Sequence, residues 1–308
     1  MKLIKPSYQI IEPTGYTIDD IYKSIELAGK VSHKSEHTIK EGSAKEFVDR
    51  MIKLGHGATL EFGTVYLKIP AGKYSFLCDD LDDCDDIKNS FFSNPYTKIH
   101  CQDGYFYIST NYRVLIETFS QEFISELVQY LCEPAEHHEK RVCVKFILDR
   151  GILAEFTRHR TFSFIAESSR YCNYSKDRFG NELTFIQPCW ITDESLSYWK
   201  NVMNSETKWF HPNDAFPGIN MFLYSLEEAE DIYLALINEE GWKPQEARVV
   251  LPLSLKTELY MCGFVSDWEH FFRLRTSILA ETGKPHPDAS ALADPLYKEF
   301  IERGLING

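Results

Sequence analysis

The 308-residue sequence lacks long apolar runs, a signal-peptide core and any Cys-x-x-Cys pair. No stretch approaches the roughly 18 apolar residues of a membrane-spanning helix. The opening residues 1–5 are not followed by the apolar segment of a secretory signal. The eight cysteines are scattered along the chain. These absences predict a cytoplasmic protein with reduced thiols and no membrane partner.

Metal-ligand and phosphate-loop patterns are also missing. His137 and His138 are adjacent, so both cannot face one ion from one helix face, and no His-x-Glu motif accompanies them. The acidic run Asp79–Asp86 lacks the ligand order and closing glutamate of a calcium loop, and we interpret it as a solvated loop. No Gly-rich loop follows a strand pattern. We expect no metal and no dinucleotide bound in a Rossmann site.

The net charge of −13 makes a general nucleic-acid binder improbable on electrostatic grounds, because an acidic chain repels a phosphate backbone. Against this background, residues 158–170 concentrate three arginines, one histidine and three serines. Such donors can converge on the oxygens of a bound phosphate. A surface patch of ion pairs with the surrounding carboxylates is the alternative interpretation.

Helix and strand signals alternate along the chain and predict the α+β class, with helices packed on a sheet. A capping box at Ser43–Glu46 begins a helix that ends at Gly55, and an alternating strand pattern follows at 63–69. The segment 251–261 is apolar and fits either a strand or a helix. We expect one domain over residues 1–308, with an insertion at about 70–138.

Other candidate residues are weaker when taken alone. His56 after a helix-ending glycine is more typical of a structural residue, and Ser32 near a helix end is more typical of a cap. Arg248 enters an apolar run and needs an anionic partner, either a carboxylate of the chain or a ligand. The segment 270–275 fits an amphipathic helix that ends in arginine. Cys189 follows a proline, as in the Cys-dependent thymidylate synthases, but we expect a buried, inert thiol.

Together these motifs resemble the flavin-dependent thymidylate synthases, the ThyX family. The family signature of Arg-His-Arg, seven residues and then Ser-x-Arg-Tyr is similar to residues 158–171. Its other motifs resemble, in the same order, Ala28–Ser32, Gly55–Glu61, Arg248–Pro252 and Phe272–Arg275. The resemblance covers residues 28–61 and 142–275, and it implies helices on a mainly antiparallel sheet.

The sequence departs from the family pattern at a few positions. Glu155 stands where glutamine is common, and Ile165-Ala166 replaces an Asn-Glu pair. Phe264-Val265-Ser266 replaces an Asn-x-Arg that commonly contacts flavin, and His270 stands where His or Asn occurs. Glu167 is the glutamate that could replace part of the missing pair.

The resemblance implies reductive methylation of dUMP to dTMP, with methylenetetrahydrofolate as carbon donor and FAD, reduced by NADPH, as hydride source. Arg275 is then the catalytic residue beside the pyrimidine. The substrate-binding residues implied are Glu155, Glu167, Ser168, Ser169, Arg170, Arg248 and Arg275. The cofactor-binding residues implied are Ser32, His56, Glu61, Arg158, His159, Arg160, Thr161, Phe264, Ser266 and His270.

The resemblance also implies a homotetramer whose active sites are shared between subunits, with Arg248 reaching a neighbouring site. Two rival functions remain open from the residues alone. A flavoprotein reductase would use the flavin contacts but not Arg170, Arg248 and Arg275. A nucleotide-binding module without methylation would explain the arginines but not a flavin.

Overall fold

The computed structural model describes residues 1–73, 94–197, 217–281 and 283–307, so the acidic run Asp79–Asp86 lies outside the described residues. In these ranges the strands are β1 Lys2–Ile4, β2 Ser7–Ile11, β3 Thr64–Pro70, β4 Lys98–Gln102, β5 Tyr105–Asn111, β6 Arg141–Asp149, β7 Ser163–Ala166, β8 Thr184–Ile186 and β9 Lys256–Phe264. The α-helices are α1 Ile18–Val31, α2 Ser43–Lys53, α3 Gly57–Leu60, α4 Tyr112–Thr118, α5 Gln121–Leu127, α6 Arg150–Phe156, α7 Pro217–Asn238, α8 Pro244–Ala247, α9 Val265–Arg275 and α10 Pro287–Glu302.

A four-stranded antiparallel sheet organises the molecule, with the strand order β2-β6-β9-β7. Its two long strands, β6 and β9, pair over their whole lengths. Burial alternates strictly along β6, as expected for a strand whose apolar residues point to one face. The apolar segment 251–261, which fitted either a strand or a helix, is a strand from Lys256 onward. Its apolar character follows from the position of β9, which is central in the sheet and covered on both sides.

Helices α6, α9 and α10 pack on one face of this sheet. Val144 and Phe146 of β6 meet Trp268, Phe271 and their neighbours in an aromatic core with no solvent exposure. The opposite face lies under α1, where Ala28 and Val31 contact the sheet. The signature segment therefore lies on a sheet that is held from both sides.

A second antiparallel sheet has the strand order β3-β5-β4. Strand β5 pairs with β3 from Thr64 to Pro70, and the two share one apolar core with α1, α2, α4 and α5. The described part of the predicted insertion is therefore packed into the body of the protein. Its atypical status within the family stays a prediction.

A third group of elements joins the N-terminus to α7 and α8. Strand β1 runs parallel to β8, and Phe185 of β8 packs on Leu223 and Tyr233 of α7. Apart from this pair, the strand pairings in the described ranges are antiparallel. The α+β class with a mainly antiparallel sheet is thus confirmed.

Candidate active site

The arginine-rich segment is divided by the edge strand β7. Arg158, His159 and Arg160 lie in the turns before the strand, and Ser168 and Arg170 lie in the loop after it. The three arginine side chains are exposed, as is Thr161. A strand of four residues separates the two groups by roughly 13 Å. The segment therefore offers two sets of donors rather than one.

Before β7, three predicted residues meet at the end of α9. Arg275 donates from Nη1 to Oε2 of Glu155 at 2.5 Å and from Nη2 to the Glu155 carbonyl at 3.0 Å. Its Nε donates to Nε2 of His159 at 3.1 Å. His270 lies beside them, with its ring centroid 6.1 Å from that of His159. Residues more than a hundred positions apart thus form one cluster.

His159 is electrically neutral in this cluster. Its side chain is buried, and burial followed by the nearby charge of Arg275 lowers the pKa of His159 to about 4. Because Nε2 accepts a hydrogen bond from Arg275, the ring proton lies on Nδ1. His159 therefore orients Arg275 without adding charge beside it.

After β7, serine and arginine side chains gather at the start of α6. Arg150 donates from Nη2 to Oγ of Ser169 at 2.9 Å, and its amide donates to the Leu253 carbonyl at 2.8 Å. Arg150 was missed by the sequence analysis. A basic residue in the first turn of a helix opposes the helix dipole, and this is a signal that could have found it.

Ser32 joins this second group from the end of α1. Its carbonyl accepts a hydrogen bond from the amide of Ser168 at 3.1 Å, and its hydroxyl bonds Nδ1 of His33 at 2.8 Å. His33 stacks on Tyr171 with centroids 4.4 Å apart. Ser32, predicted from a weak motif, is therefore adjacent to the signature loop.

Glu167 is engaged within the chain. Its carboxylate bonds Nζ of Lys256 at 2.7 Å and the hydroxyl of Tyr174 at 3.0 Å, and the residue is 3% exposed. Its amide donates to the carbonyl of Glu258. The amide of Glu167 is therefore already used within the chain, and substrate binding by Glu167 stays a prediction.

His56 and Glu61 flank the short helix α3. His56 is exposed at its start. Glu61 follows its end and pairs with Arg113, Nη1 to Oε1, at 2.7 Å. Arg141 donates to the carbonyl of Glu61 at 3.2 Å. Their role in cofactor binding stays a prediction.

Two departures from the family pattern lie at the start of α9. The ring of Phe264 is buried between the cations of Lys98 and Arg141, each 5.6 Å from its centroid. The hydroxyl of Ser266 is hydrogen-bonded to Glu139. Both side chains make contacts within the chain, and flavin binding by either stays a prediction.

Arg158, Arg160, Arg170 and Arg248 make no ion pair with a carboxylate of the described residues. All four side chains are exposed. In a chain with a net charge of −13, the alternative of a surface ion-pair patch predicted such partners. Within the described ranges, no carboxylate neutralises these guanidinium groups, and such groups can bind an added anion.

Cys189 is exposed, so the expectation of a buried thiol was wrong. Although the residue is exposed, its sulfur is partly shielded from solvent. This shielding and the neighbouring carboxylate of Asp288 raise the pKa of Cys189 to about 11. The thiol is therefore protonated at neutral pH, and the inference that it is inert holds on different grounds.

Comparison with known families decides the relationship. Residues 104–303 match the family described as "Thymidylate synthase complementing protein". The chain belongs to this family. The match contains the signature segment, Arg248 and Arg275, and it also takes in residues 104–138 of the predicted insertion.

The chain is also similar to a viral protein and to two solved structures. The "Probable flavin-dependent thymidylate synthase" of Paramecium bursaria Chlorella virus 1 is 32% identical over 158 residues, which are 49% of this chain and 63% of the relative. The chain therefore spans less than two thirds of that relative. The resemblance stated from the sequence is confirmed by the family match and this relative.

Among solved structures, the UMP/dUMP methylase PolB from Streptomyces cacaoi with 5-Br dUMP is similar at a TM-score of 0.42 and 14% identity, over 98% of this chain and 93% of that one. ThyX from Helicobacter pylori with FAD and dUMP is similar at a TM-score of 0.37 and 16% identity, over 95% of this chain and 92% of that one.

Proposed function

We propose that the protein is a flavin-dependent thymidylate synthase. It converts dUMP to dTMP, takes the carbon from methylenetetrahydrofolate and takes the hydride from FAD that NADPH has reduced. Membership of the family supports this proposal. The observation that carries it is the set of exposed arginines without carboxylate partners among the described residues, next to the Arg275 cluster.

The dUMP phosphate binds at the second group of donors. Ser168, Ser169 and Arg170 follow β7 directly, and Arg150 contacts Ser169 from the first turn of α6. Because the amide of Glu167 is occupied, the phosphate is bound by these side chains and not by that amide. A bidentate arginine contact to phosphate gives both charge and orientation.

Arg275 holds the pyrimidine. Its three hydrogen bonds to Glu155 and His159 fix the guanidinium and leave further N–H groups for a ligand. A fixed positive charge stabilises the base when electron density accumulates on its ring carbon. Glu155 shares this guanidinium, so it controls how much of the charge the base receives.

The residues present fit the anionic part of FAD. Arg158 and Arg160 are exposed and lack carboxylate partners in the described ranges, which suits a pyrophosphate. We assign further contacts with FAD to Thr161, Ser32, His56 and Glu61. Bound FAD supplies the hydride, and the chain itself binds and orients the reactants.

The proposal includes a homotetramer with shared sites. Arg248 is exposed, and Val249 and Leu253 beside it are 74% and 72% exposed. Two apolar side chains with this much exposure beside one arginine suit a contact with a neighbouring subunit.

The proposal also includes a cytoplasmic location, which fits the free cysteines of the described ranges. No helix of the described residues is long and apolar enough to cross a membrane.

The visible spectrum of the purified protein tests the proposal. We expect a bound flavin spectrum that shifts when dUMP is added. A colourless protein that binds dUMP would support a nucleotide-binding module instead. A flavin spectrum that NADPH bleaches but dUMP leaves unchanged would support a flavoprotein reductase.

Product formation completes the test. The holoenzyme with dUMP, NADPH and methylenetetrahydrofolate should form dTMP and release the folate as tetrahydrofolate. Omission of NADPH should abolish turnover. Continued dTMP formation without a hydride donor, with dihydrofolate as product, would contradict the flavin mechanism.

A further inference from the structure

Two cysteines that are far apart in the chain lie opposite each other on neighbouring strands of the four-stranded sheet. Cys143 of β6 and Cys262 of β9 are direct partners in the antiparallel register. Directly opposite residues project to the same face, so both side chains lie on the face toward α1. Both are free thiols. Neither belongs to a motif that the proposed function uses.

Their spacing suits a covalent bond between the sulfurs. Opposed Cα atoms of an antiparallel pair are about 4.5 or 5.5 Å apart, depending on the type of pair. Disulfide-bonded cysteines usually have Cα atoms about 4.4–6.8 Å apart. Either type of pair therefore permits a disulfide without a change in strand register.

A cleft connects this pair to the surface. Its volume is about 420 Å³, and Cys143 is part of its wall, together with Tyr66, Tyr260 and Arg141. Cys262 is not among the residues that line the cleft and is 1% exposed. A small reagent that enters the cleft therefore reaches the sulfur of Cys143 first.

Two basic groups of the cleft lie near the pair. Lys140 and Arg141 are part of its lining, whereas Arg303, which also lines it, is paired with Glu12 and Glu299. Arg141 is held in place by Thr64 at 3.2 Å and Ser163 at 3.4 Å. A fixed guanidinium next to a thiol pair favours the thiolate form.

One thiol of the pair ionises readily. The hydrogen bond from Cys143 lowers the pKa of Cys262 to about 6, burial opposes this, and Arg141 adds to the lowering. The same hydrogen bond and burial raise the pKa of Cys143. The two sulfurs thus share one proton at neutral pH. The negative charge is favoured on Cys262, and transfer of the proton from Cys143 to Cys262 places the charge on Cys143.

We propose that Cys143 and Cys262 form a redox-active pair that is converted to a disulfide by hydroperoxides entering this cleft. With the shared proton on Cys262, the Cys143 thiolate attacks the terminal oxygen of the hydroperoxide and the O–O bond breaks. The proton of Cys262 passes to the departing oxygen, which leaves as an alcohol or water, and Cys262 becomes the thiolate. The Cys262 sulfur then displaces hydroxide from the sulfenic acid and forms the S–S bond. The sulfurs lose two electrons in total, which reduce the peroxide. A dithiol reductant reverses the reaction.

Such a pair is compatible with a reducing compartment, where disulfides are transient and respond to oxidants. The covalent bond would join the two central strands of the sheet, one of which continues into α9 and Arg275. The modification therefore lies close to the framework of the proposed active site without using any residue assigned to it.

Peptide mapping of the full-length protein tests this inference. Hydrogen peroxide is the probe, and trypsin cleavage places Cys143 in residues 142–145 and Cys262 in residues 257–273. We expect a cross-linked product of these two peptides in the peroxide-treated wild type, and its loss after dithiothreitol. The exposed Cys189 serves as an internal measure of general oxidation.

Three variants are informative controls. Cys143→Ser and Cys262→Ser should each remove the cross-link. Cys132→Ser should retain it, because Cys132 lies outside β6 and β9 and its sulfur donates to the carbonyl of Tyr66. The wild-type result does not depend on how well the variants fold. Oxidation of Cys189 without any cross-link between Cys143 and Cys262 would overturn the proposal, as would a cross-link that persists in Cys143→Ser.

Discussion

The lysines and the arginines around the four-stranded sheet differ in what they contact. Lys34, Lys145 and Lys256 converge on the carboxylate of Glu258, at 2.6–2.8 Å, and Lys256 also bonds Glu167. The exposed arginines of the signature segment and Arg248 have no such partners in the part of the chain that the structure describes. The lysines are neutralised within the chain, whereas these arginines have no carboxylate partner among the residues that the structure describes.

This difference follows from solvation. The side chains of Glu258 and Glu167 are 6% and 2% exposed, and a buried carboxylate is stable only with close cationic partners. A surface arginine is solvated and needs no partner for folding. We infer that the lysine cluster serves the fold and that the arginines serve a ligand, and the following variants test this division.

The largest loss of stability is expected for Lys256→Met. It leaves the buried carboxylates of Glu167 and Glu258 with one cation fewer, and removal of one partner from a buried pair typically costs about 3–5 kcal/mol. Urea denaturation measures the effect. Lys45→Met, which removes an exposed pair with Asp49, is the matched control and should leave the midpoint nearly unchanged. Equal midpoints for both variants would show that the lysine cluster does not stabilise the fold.

Arg275→Lys should reduce turnover more than any other arginine variant. Lysine keeps the charge but loses the planar set of donors that now contacts Glu155 and His159, and removal of one preorganised donor typically costs ~10²–10³-fold in rate. We expect FAD to be retained and reduced by NADPH while dTMP formation falls. Near-normal dTMP formation would limit Arg275 to its ion pair with Glu155, and loss of flavin would assign it to cofactor binding.

Arg158→Ala should weaken flavin binding more than dUMP binding. A hydrogen bond to a charged group typically contributes about 1.5–3 kcal/mol, so the Kd for FAD should rise by roughly 10- to 150-fold. Titration of the apoprotein with FAD measures this. Arg50→Ala, at an exposed position of α2, is the control and should bind FAD like the wild type. Identical affinities for both variants would contradict the assignment of Arg158.

The lysine cluster also predicts a dependence of stability on pH. Burial alone would raise the pKa of Glu258, but Lys256, Lys145 and Lys34 together lower it from 4.5 to about 2. Because the pKa is lower in the folded state, Glu258 stabilises the protein fully above pH 4.5, and this contribution is lost as the pH falls toward 2. The slope within this window is at most about 1.4 kcal/mol per pH unit. Glu258→Gln should have a shallower slope, and an unchanged slope would exclude Glu258 as its source.

Cys189→Ala should have the smallest effect. Its thiol is exposed and has a raised pKa, and the proposed reaction needs no thiolate attack on the pyrimidine. We expect wild-type dTMP formation and flavin content. Loss of turnover in a folded, flavin-containing variant would require a nucleophilic cysteine and would overturn the proposed mechanism.

The motifs of the candidate site could be predicted from sequence because their residues are close together in the chain. Residues 158–170 carry the excess of arginine and serine within one short segment, and the capping and apolar patterns of the helices and strands are similarly local. From these patterns the α+β class and the family were both predicted correctly.

Tertiary structure decided the partners of each charged or reactive side chain. Glu155 meets Arg275 across 120 positions of the chain, and Cys143 meets Cys262 because β6 and β9 pair in one particular register. A shift of one residue in that register would turn both cysteines and the carboxylate of Glu258 away from their partners. Sequence determined which chemical groups the protein has, and the packing of the sheet determined which of them are neutralised within the chain and which remain available to a ligand.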